Sequence, residues 1–301
     1  MRVVLTGATG FIGREVVRPL LATGAEVHTL GRHDPGVPGV LHHPVDLLGG
    51  DLDAVRAIGA THLVHLAWYP ERAFWTAPEN LDWVAASVRL VRAFAAGGGR
   101  RALVAGSCAE YAWGPARLDE TASPIAPASL YGTAKASLHA LLAKAAPELG
   151  VSLAWARIFF PYGPLERPQR LLGTLLAAMR RGEAAHFSAG YQRRDFIHVE
   201  DAAAAIAAIL AAPIEGAVNV ASGAAVEVRR FVEIAAEHAG MTDRVVFGTH
   251  PLPAGEPAFI EGATERLIGG TPYRPRFALA EGLADAVSRA RSLPPGAGIR
   301  G

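Results

Sequence analysis

Short apolar segments alternate with amphipathic ones along the first half of the chain. The apolar runs predict strands at Arg2–Thr6, Glu26–Leu30, His62–Leu66, Arg101–Ala105 and Ser152–Arg157. Apolar positions at helical spacing predict helices between them, at Arg14–Ala22, Asp51–Ala57, Asp82–Ala96 and Tyr131–Ala146. Strands that are apolar throughout and alternate with helices are typical of a parallel sheet covered on both faces. We therefore predict an α/β fold with a doubly wound parallel sheet.

Beyond Arg157 the pattern is less regular. Three prolines, at positions 161, 164 and 168, indicate a loop before a helix predicted at Leu171–Arg181. We then expect a return to the sheet, through a strand at Phe196–Val199, a helix at Ala202–Ala211 and a strand at Ala217–Val220. The last predicted helices are Val228–Ala239 and Ala278–Arg291.

These elements predict two units. Residues 1–163 and 195–222 would form the sheet domain, and residues 164–194 and 223–291 a smaller, discontinuous C-terminal lobe. The lobe would lie over the carboxyl edge of the sheet, where open parallel sheets bind ligands. Residues 292–301, rich in proline and glycine, are expected to be a disordered tail.

Composition narrows the possible partners and the compartment. A net charge of +1 offers no electrostatic reason to bind a nucleic acid polymer or an anionic membrane. The longest apolar stretch, Ala202 to Pro213, is too short to span a bilayer. Because the first strand begins at Arg2, no signal peptide is expected, and we predict a cytoplasmic protein. The single cysteine, Cys108, excludes an internal disulfide and argues against structural zinc, so no metal site is predicted.

A glycine-rich turn follows the first predicted strand directly. Gly7, Gly10 and Gly13, with Phe11 and Ile12 between the last two, lead into the first predicted helix. Glycines at this spacing allow a tight turn and a close approach of a pyrophosphate to the backbone N–H groups of a helix N-terminus. The strand–turn–helix context favours a Rossmann-like dinucleotide site over a turn of purely structural use.

The end of the second strand indicates which dinucleotide is bound. An acidic residue there would bond the adenosine ribose and favour NAD, but this chain has Arg32. Since a guanidinium binds phosphate well, we favour NADP(H), with NAD(H) still possible if Arg32 only stacks on the adenine. Asp46 and Leu47 are candidates for contact with the adenine. Asp46 could instead cap the following helix.

Tyr131 and Lys135 form the strongest candidate for chemistry. The chain contains six tyrosines but only two lysines, so chance predicts about 0.04 Tyr-x-x-x-Lys matches. Residues four apart share a helix face, which lets the phenol and the ammonium meet, although an ordinary surface pair has the same spacing. A nearby cation would bring the phenol pKa down from its usual value of about 10.

Other candidates end neighbouring strands. Leu66 and Ala67 are small and apolar where a nicotinamide ribose would pack, and Ser107 ends the strand that begins at Arg101. Parallel strands bring such carboxyl ends to one crevice. Trp68, Tyr69 and Trp75 would either line a sugar pocket or pack within a loop.

Taken together, these motifs resemble the extended short-chain dehydrogenase/reductases, the nucleotide-sugar epimerase, dehydratase and ketoreductase group. Further matches are Arg157 to Pro164, Arg194 to Asp201, Asn219 to Gly223 and Glu281 to Leu283. The resemblance implies that Tyr131 is a general acid/base, that Lys135 lowers its pKa and holds the nicotinamide ribose, and that Ser107 orients the reacting oxygen. It also implies that Arg194 contacts the substrate diphosphate. A homodimer through helices Asp82–Ala96 and Tyr131–Ala146 is implied as well.

Departures from the family pattern narrow the reaction. Dehydratases of the family usually carry an Asp-Glu pair where this chain has Cys108 and Ala109, which cannot serve as carboxylic acid and base. Glu110 falls one position later and is either a substrate contact or a salt bridge at the core edge, while we interpret Cys108 as buried packing. Phe160 replaces an asparagine of many relatives, which implies an altered sugar or phosphate contact.

Three functions follow from these observations. The first is an NADP(H)-dependent reductase acting on the keto group, at C4, of a nucleotide-activated deoxy sugar, with Tyr131 as proton donor. The alternative is an NAD-dependent nucleotide-sugar 4-epimerase with the same residues. The third, a catalytically silent dinucleotide sensor, is disfavoured because both Tyr131 and Lys135 are present.

Overall fold

The computed structural model describes residues 1–71, 73–114, 116–252 and 255–293. Its strands are β1 (Arg2–Thr6), β2 (Glu26–Gly31), β3 (Val40–Pro44), β4 (His62–His65), β5 (Arg101–Ser107), β6 (Ser152–Ile158), β7 (Phe160–Tyr162), β8 (Ala185–Ser188), β9 (Arg193–His198), β10 (Gly216–Val220), β11 (Ala225–Glu227), β12 (Val245–His250) and β13 (Phe259–Ile260). Its α-helices are α1 (Gly13–Ala22), α2 (Asp53–Ile58), α3 (Glu79–Ala96), α4 (Leu130–Glu148), α5 (Leu171–Arg181), α6 (Val199–Ala211), α7 (Val228–Ala239), α8 (Glu265–Gly270) and α9 (Leu279–Ser292).

A seven-stranded sheet in the order β10-β6-β5-β4-β1-β2-β3 forms the centre of the fold. All its neighbouring strands are parallel, from Val27 beside Val40 at one edge to Val218 beside Ala156 at the other. The strand order reverses at β1, so a crevice opens above the carboxyl ends of β1 and β4. The predicted Rossmann-like doubly wound sheet is confirmed.

Helices cover both faces of this sheet because alternate strand residues point to opposite sides. Val3 and Leu5 pack into a buried cluster with α1 and α6. Val4 and Leu63 pack into a second cluster, which also contains residues of α2, α3 and α4. The predicted helices therefore lie where the amphipathic pattern requires, with ends that differ by a few residues.

The smaller part of the fold contains a four-stranded sheet, formed by β7, β9, β11 and β13, and the two-stranded sheet of β8 and β12. Its core is a third buried cluster, in which α5, α7 and α9 pack together. The prediction that the strand near Phe196–Val199 returns to the main sheet is wrong, since β9 pairs with β7, β11 and β13. The polar start of β9, at Arg193, Arg194 and Asp195, suits a small sheet rather than a fully apolar central strand.

Three further findings complete the fold. Strand β10 joins the main sheet as predicted, whereas β3 was not predicted because its residues are mostly half-exposed. No helix within the described ranges is long and apolar enough to cross a membrane. Of the predicted tail, residues 294–301 lie outside the described residues, and the limits of the two units stay a prediction.

Candidate active site

The glycine-rich turn is shaped by steric contacts that exclude side chains. Gly7 has a φ of +76°, and a Cβ there would lie 2.8 Å from the backbone nitrogen of Ala67. A Cβ on Gly13 would lie 2.0 Å from the Gly7 carbonyl oxygen, which also accepts the N–H of Gly10 at 2.9 Å. The turn thus brings bare backbone and the N-terminus of α1 to the cavity wall, an arrangement that fits a pyrophosphate.

A cavity of about 780 Å³ begins at this turn and runs along the carboxyl ends of the strands. Almost every residue predicted for the site lines it: Gly7, Gly10, Phe11, Ile12, Gly13, Arg32, Asp46, Leu47, Leu66, Ala67, Trp68, Ser107, Tyr131, Lys135 and Phe160. Tyr69 and Trp75 line it as well, so the three predicted aromatics of this loop do face the cavity. Glu110 and Arg194 are not among its lining residues.

One end of the cavity is lined by the residues predicted to contact the adenosine. Arg32 is exposed at the end of β2, beside Gly31 and His33. The Asp46 carboxylate accepts the N–H of Leu48 at 3.1 Å, so it stabilises its own turn. It does not cap α2, where the Asp51 carboxylate accepts the N–H of Asp53 at 2.9 Å.

A buried histidine holds the backbone beside the glycine turn and was not predicted. The Ser87 hydroxyl donates to the Trp83 carbonyl at 2.6 Å, so it accepts from His65 Nε2 at 2.8 Å. His65 Nδ1 therefore accepts from the Thr6 hydroxyl at 2.7 Å, and that oxygen accepts the N–H of Ala67 at 3.3 Å. Burial lowers the pKa of His65 to about 3, which keeps the imidazole neutral in this chain of hydrogen bonds.

Tyr131 lies at the other end of the cavity, enclosed by aromatic rings. The edges or faces of Trp68, Phe74 and Trp75 approach its ring with centroid distances of 6.4, 4.9 and 5.6 Å. Burial raises the pKa of Tyr131 to about 12, an effect that the Ser107 hydroxyl partly offsets. The phenol pKa is therefore raised in the structure, whereas the sequence predicts that a nearby cation lowers it. Tyr131 is a neutral phenol at neutral pH.

Lys135 is buried on the same helix, one turn from Tyr131. Its ammonium donates to the Ala105 carbonyl at 2.7 Å and lies 3.5 Å from the centroid of the Trp68 ring. Burial lowers the pKa of Lys135 to about 7, against a smaller opposing effect of Glu110. The side chain thus lines the cavity and is held against the end of β5.

Ser107 ends β5 and caps a one-turn 3-10 helix, Cys108–Glu110. Its hydroxyl accepts the N–H of Ala109 at 3.2 Å, and its own N–H donates to Glu110 Oε1 at 2.8 Å. This reciprocal pair holds the Ser107 hydroxyl at the cavity wall near Tyr131. Cys108 is buried as expected, and burial raises its thiol pKa to about 12.

Glu110 has a structural role, and the prediction of a substrate contact is wrong. The side chain is fully buried and accepts Arg157 Nε at 2.8 Å and Trp155 Nε1 at 2.9 Å. With the bond to the Ser107 N–H, both carboxylate oxygens are occupied. The salt bridge expected as its alternative role is the one observed.

Arg194 does not lie on the cavity wall. Its guanidinium is buried, pairs with Glu256 and donates to the Arg193 carbonyl at 2.8 Å. It stands 5.8 Å from the ring of Phe160, which does line the cavity. The predicted diphosphate contact is therefore not made from this position, because the arginine is already neutralised by a carboxylate.

The proline-rich loop before α5 supplies wall residues that were not predicted. Arg167 donates to the Pro70 carbonyl at 2.7 Å, and the Arg170 guanidinium lies 4.8 Å from the Phe74 ring. Burial raises the pKa of the Glu166 carboxyl to about 8. Three prolines mark this loop in the sequence, but nothing local indicates that these side chains turn toward the cavity.

Comparison with known proteins gives the same assignment as the geometry. Residues 3–221 match the model of the NAD dependent epimerase/dehydratase family. The chain is 29% identical over 293 residues to a dTDP-6-deoxy-L-talose 4-dehydrogenase (NAD(P)(+)) of Kitasatospora kifunensis, covering 91% of each protein.

Solved structures with the same fold are also similar. MoeE5 in complex with UDP-glucose and NAD matches with a TM-score of 0.84 and 28% identity, over 97% of this chain and 99% of that one. The UDP-glucose 4-epimerase of Thermus thermophilus in complex with NAD has a TM-score of 0.86 and 26% identity, over 99% and 100%. The glycine turn, the residues on the cavity wall and the match over residues 3–221 lead to one conclusion: the chain is an enzyme of the NAD dependent epimerase/dehydratase family.

Proposed function

We propose that this enzyme reduces the C4 keto group of a nucleotide-activated deoxy sugar with NADPH. The main support is that Ser107, Tyr131 and Lys135 share one cavity with the glycine turn. The relative from K. kifunensis, named as a 4-dehydrogenase of a dTDP-6-deoxy sugar, supports the same carbon and the same class of substrate.

Tyr131 would donate its proton to the carbonyl oxygen of the substrate. A neutral phenol, as its pKa of about 12 implies, is the protonation state that a reduction needs. The Ser107 hydroxyl would bond the same oxygen and share its developing charge. The bound nicotinamide would supply the hydride to the carbonyl carbon.

Loss of water from the sugar is disfavoured at this site. A dehydratase needs a carboxyl pair close to the reacting ring. Cys108 and Ala109 follow Ser107, and the nearby Glu110 is bound by Arg157 and Trp155. The described wall beside Ser107 therefore offers a hydroxyl and a phenol, which suit the reduction of a ketone.

The preference for NADP(H) is proposed from Arg32. It lines the adenosine end of the cavity and is exposed, so it is able to approach a 2′-phosphate. Arg32→Ala is expected to raise the Kd of NADPH at least tenfold and to leave that of NADH nearly unchanged. Arg92→Ala, an exposed arginine of α3, is the control. Equal effects on the two cofactors would contradict the preference.

The reaction is tested with Tyr131→Phe and a panel of nucleotide-activated 4-keto-deoxy sugars. Wild type should oxidise NADPH only with a keto sugar, and the variant should lose about 10²–10⁴-fold in kcat while binding cofactor normally. Tyr191→Phe, at a tyrosine that is 68% exposed, is the matched control. If no nucleotide sugar supports turnover or raises the Tm, the substrate class is wrong.

An NAD-dependent 4-epimerase is the second candidate, because the similar T. thermophilus structure is an epimerase with NAD. An epimerase returns the hydride to its own substrate and needs no external reductant. NAD(H) that copurifies in a one-to-one ratio and leaves only on denaturation would favour this candidate. A protein that is purified free of cofactor and turns over with added NADPH would favour the reductase.

We also propose a homodimer formed through α3 and α4. These helices pack together and carry exposed leucines, Leu81 at 60% and Leu141 at 55%. Light scattering is expected to give twice the chain mass, and Leu81→Asp with Leu141→Asp to give a monomer. The cytoplasmic location and the absence of nucleic acid and membrane partners stay predictions.

A further inference from the structure

The Lys135 ammonium is held by few groups for a buried charge. Within the described residues its hydrogen bond goes to the Ala105 carbonyl, at 2.7 Å, and no carboxylate forms an ion pair with it. The face of the Trp68 indole, 3.5 Å from Nζ to the ring centroid, covers another side. A cation at this distance from an indole face is attracted by the ring quadrupole, and more strongly when water is excluded.

The indole is anchored independently of the lysine. Trp68 Nε1 donates to Asn80 Oδ1 at 2.8 Å. Asn80 is fully buried and donates to the carbonyls of Phe74 and Ala77 at 2.7 and 2.8 Å. The Trp83 ring also packs against the indole, with centroids 6.2 Å apart. Trp68 is therefore held in place by contacts that do not involve Lys135.

The same indole also contacts the catalytic phenol. Its ring meets that of Tyr131 at 75°, with centroids 6.4 Å apart. Trp68 thus contacts both Lys135 and Tyr131 at the cavity wall. Tyr131 and Lys135 lie four positions apart on α4, but helix geometry alone does not decide where a long lysine chain ends.

From these contacts we infer that Trp68 is a positioning residue for Lys135, holding the ammonium charged and aimed at the cofactor ribose. The inference rests on the proposed roles of Tyr131 and Lys135. Replacing the Trp68 indole by an apolar side chain without a π face leaves the buried Lys135 ammonium in contact with the Ala105 carbonyl alone. Trp68→Leu should therefore lower the pKa of Lys135 by about one unit.

The other titratable groups near Lys135 do not account for the expected fall of its pKa in Trp68→Leu. On the elements packed around the ammonium these groups are His65, Cys108, Glu110 and Arg157, and on its own helix they are Tyr131 and His139. Burial lowers the pKa of His139 to about 4, so its imidazole is neutral near pH 7. Burial keeps His65, Cys108 and Tyr131 neutral near pH 7. Glu110 and Arg157 are paired with each other. None of these side chains changes in a Trp68 variant.

The scarcity of lysine makes a direct measurement possible. Only Lys135 and Lys144 occur in the chain, so a protein labelled with ¹³C at the lysine Cε gives two side-chain signals. Lys144→Arg, at an exposed position, assigns them. In the cofactor-free protein, the Lys135 protons should be shifted upfield by the indole ring current. They should titrate near pH 7.

Variants at Trp68 separate the π face from simple bulk. Trp68→Leu should abolish the upfield shift and lower the Lys135 pKa by about one unit, whereas Trp68→Phe should keep part of both effects. Trp75→Leu removes an indole that contacts Tyr131 and should leave the Lys135 titration unchanged. At pH 7 the Kd of the cofactor, measured by fluorescence, should rise about fivefold for Trp68→Leu. A fall of the Lys135 pKa from about 7 to about 6 would reduce its protonated fraction from about one half to about one tenth.

The inference is overturned if Lys135 shows no ring-current shift in wild type, or if Trp68→Leu leaves or raises its pKa. It is also overturned if Trp68→Phe behaves like Trp68→Leu, because bulk or the Asn80 bond would then be responsible. The titration uses neither cofactor nor substrate. Its failure is therefore distinct from a failure of the proposed reduction, which the turnover assays test separately.

Discussion

Replacing Glu110 by glutamine should destabilise the protein far more than replacing a surface glutamate in an equally short ion pair. Glu110 receives hydrogen bonds from the Ser107 N–H, Trp155 Nε1 and Arg157 Nε, so every neighbour is a donor. A carboxamide keeps the volume but presents an NH₂ group to one of these donors. It also leaves the Arg157 guanidinium buried without its counter-charge.

The magnitude follows from the burial. Glu110 and Arg157 have side-chain exposures of 0% and 3%, and their Nε–Oε2 distance is 2.8 Å. Breaking a buried pair on one side typically costs about 3–5 kcal/mol. For a chain of this size, 1 kcal/mol corresponds to roughly 2 °C in Tm, so Glu110→Gln should lower Tm by about 6–10 °C.

Glu265→Gln is the matched control. Glu265 pairs with Arg117 at 2.7 Å, but its side chain is 71% exposed. A solvated pair of this kind contributes about 0–1 kcal/mol, so Tm should fall by no more than about 2 °C. The two ion pairs have nearly the same N–O distance but differ in exposure, so comparing the two variants isolates the effect of desolvation.

Thermal unfolding followed by circular dichroism and urea unfolding at pH 7 measure both variants. Adding Arg157→Gln to Glu110→Gln should cost less than the sum of the two single changes, because the double variant leaves no unpaired charge. Turnover of Glu110→Gln should fall as well, because the single carboxamide oxygen cannot take the places of both the Oε1 that accepts the Ser107 N–H and the Oε2 that accepts Arg157 Nε. Equal Tm changes for Glu110→Gln and Glu265→Gln would refute the reasoning.

Three other predictions concern single positions. Gly13→Ala places a Cβ 2.0 Å from the Gly7 carbonyl oxygen, so the Kd of the cofactor should rise more than tenfold in a fluorescence titration. Gly269→Ala, at a position with open space around it, is the control and should bind the cofactor normally. His65 has a folded pKa of about 3, below the unfolded value of 6.5, so its contribution to stability is complete above pH 6.5 and is lost as the pH falls toward 3. In urea unfolding between these pH values, the difference in unfolding free energy between wild type and His65→Gln should change by about 1.4 kcal/mol per pH unit. Cys108, whose thiol pKa is about 12, should resist a thiol-specific reagent at pH 8 until urea unfolds the protein, and rapid labelling of the folded enzyme would contradict its burial.

Features of the site could be predicted when the interacting residues lie close together along the chain, and could not when they lie far apart. The glycine turn was identified because Gly7, Gly10 and Gly13 act on their own backbone and on the helix that follows. Tyr131 and Lys135 were identified by spacing on one helix. The sequence leaves two roles open for Glu110, because its partner Arg157 lies 47 positions away.

Arg194 shows the opposite limit. The motif around it resembles a diphosphate site, but its guanidinium is bound by Glu256, 62 positions further along the chain. The pairing of β9 with β7, β11 and β13 brings Arg194 to that carboxylate. The residues around Arg194 cannot reveal that Glu256 neutralises it, because the pairing of strands in the small sheet brings the two side chains together.

Local sequence specifies the alternation of strands and helices, the glycine turn and the residues whose chemistry suits proton transfer. Each depends on contacts within a few residues, or on the two-residue and 3.6-residue periods of strands and helices. The packing of distant segments places Trp68 under the Lys135 ammonium, buries Glu110 and, by excluding water, raises the pKa of Tyr131. These properties depend on the exclusion of water and on contacts between segments far apart in the chain, and no local pattern of residues encodes either.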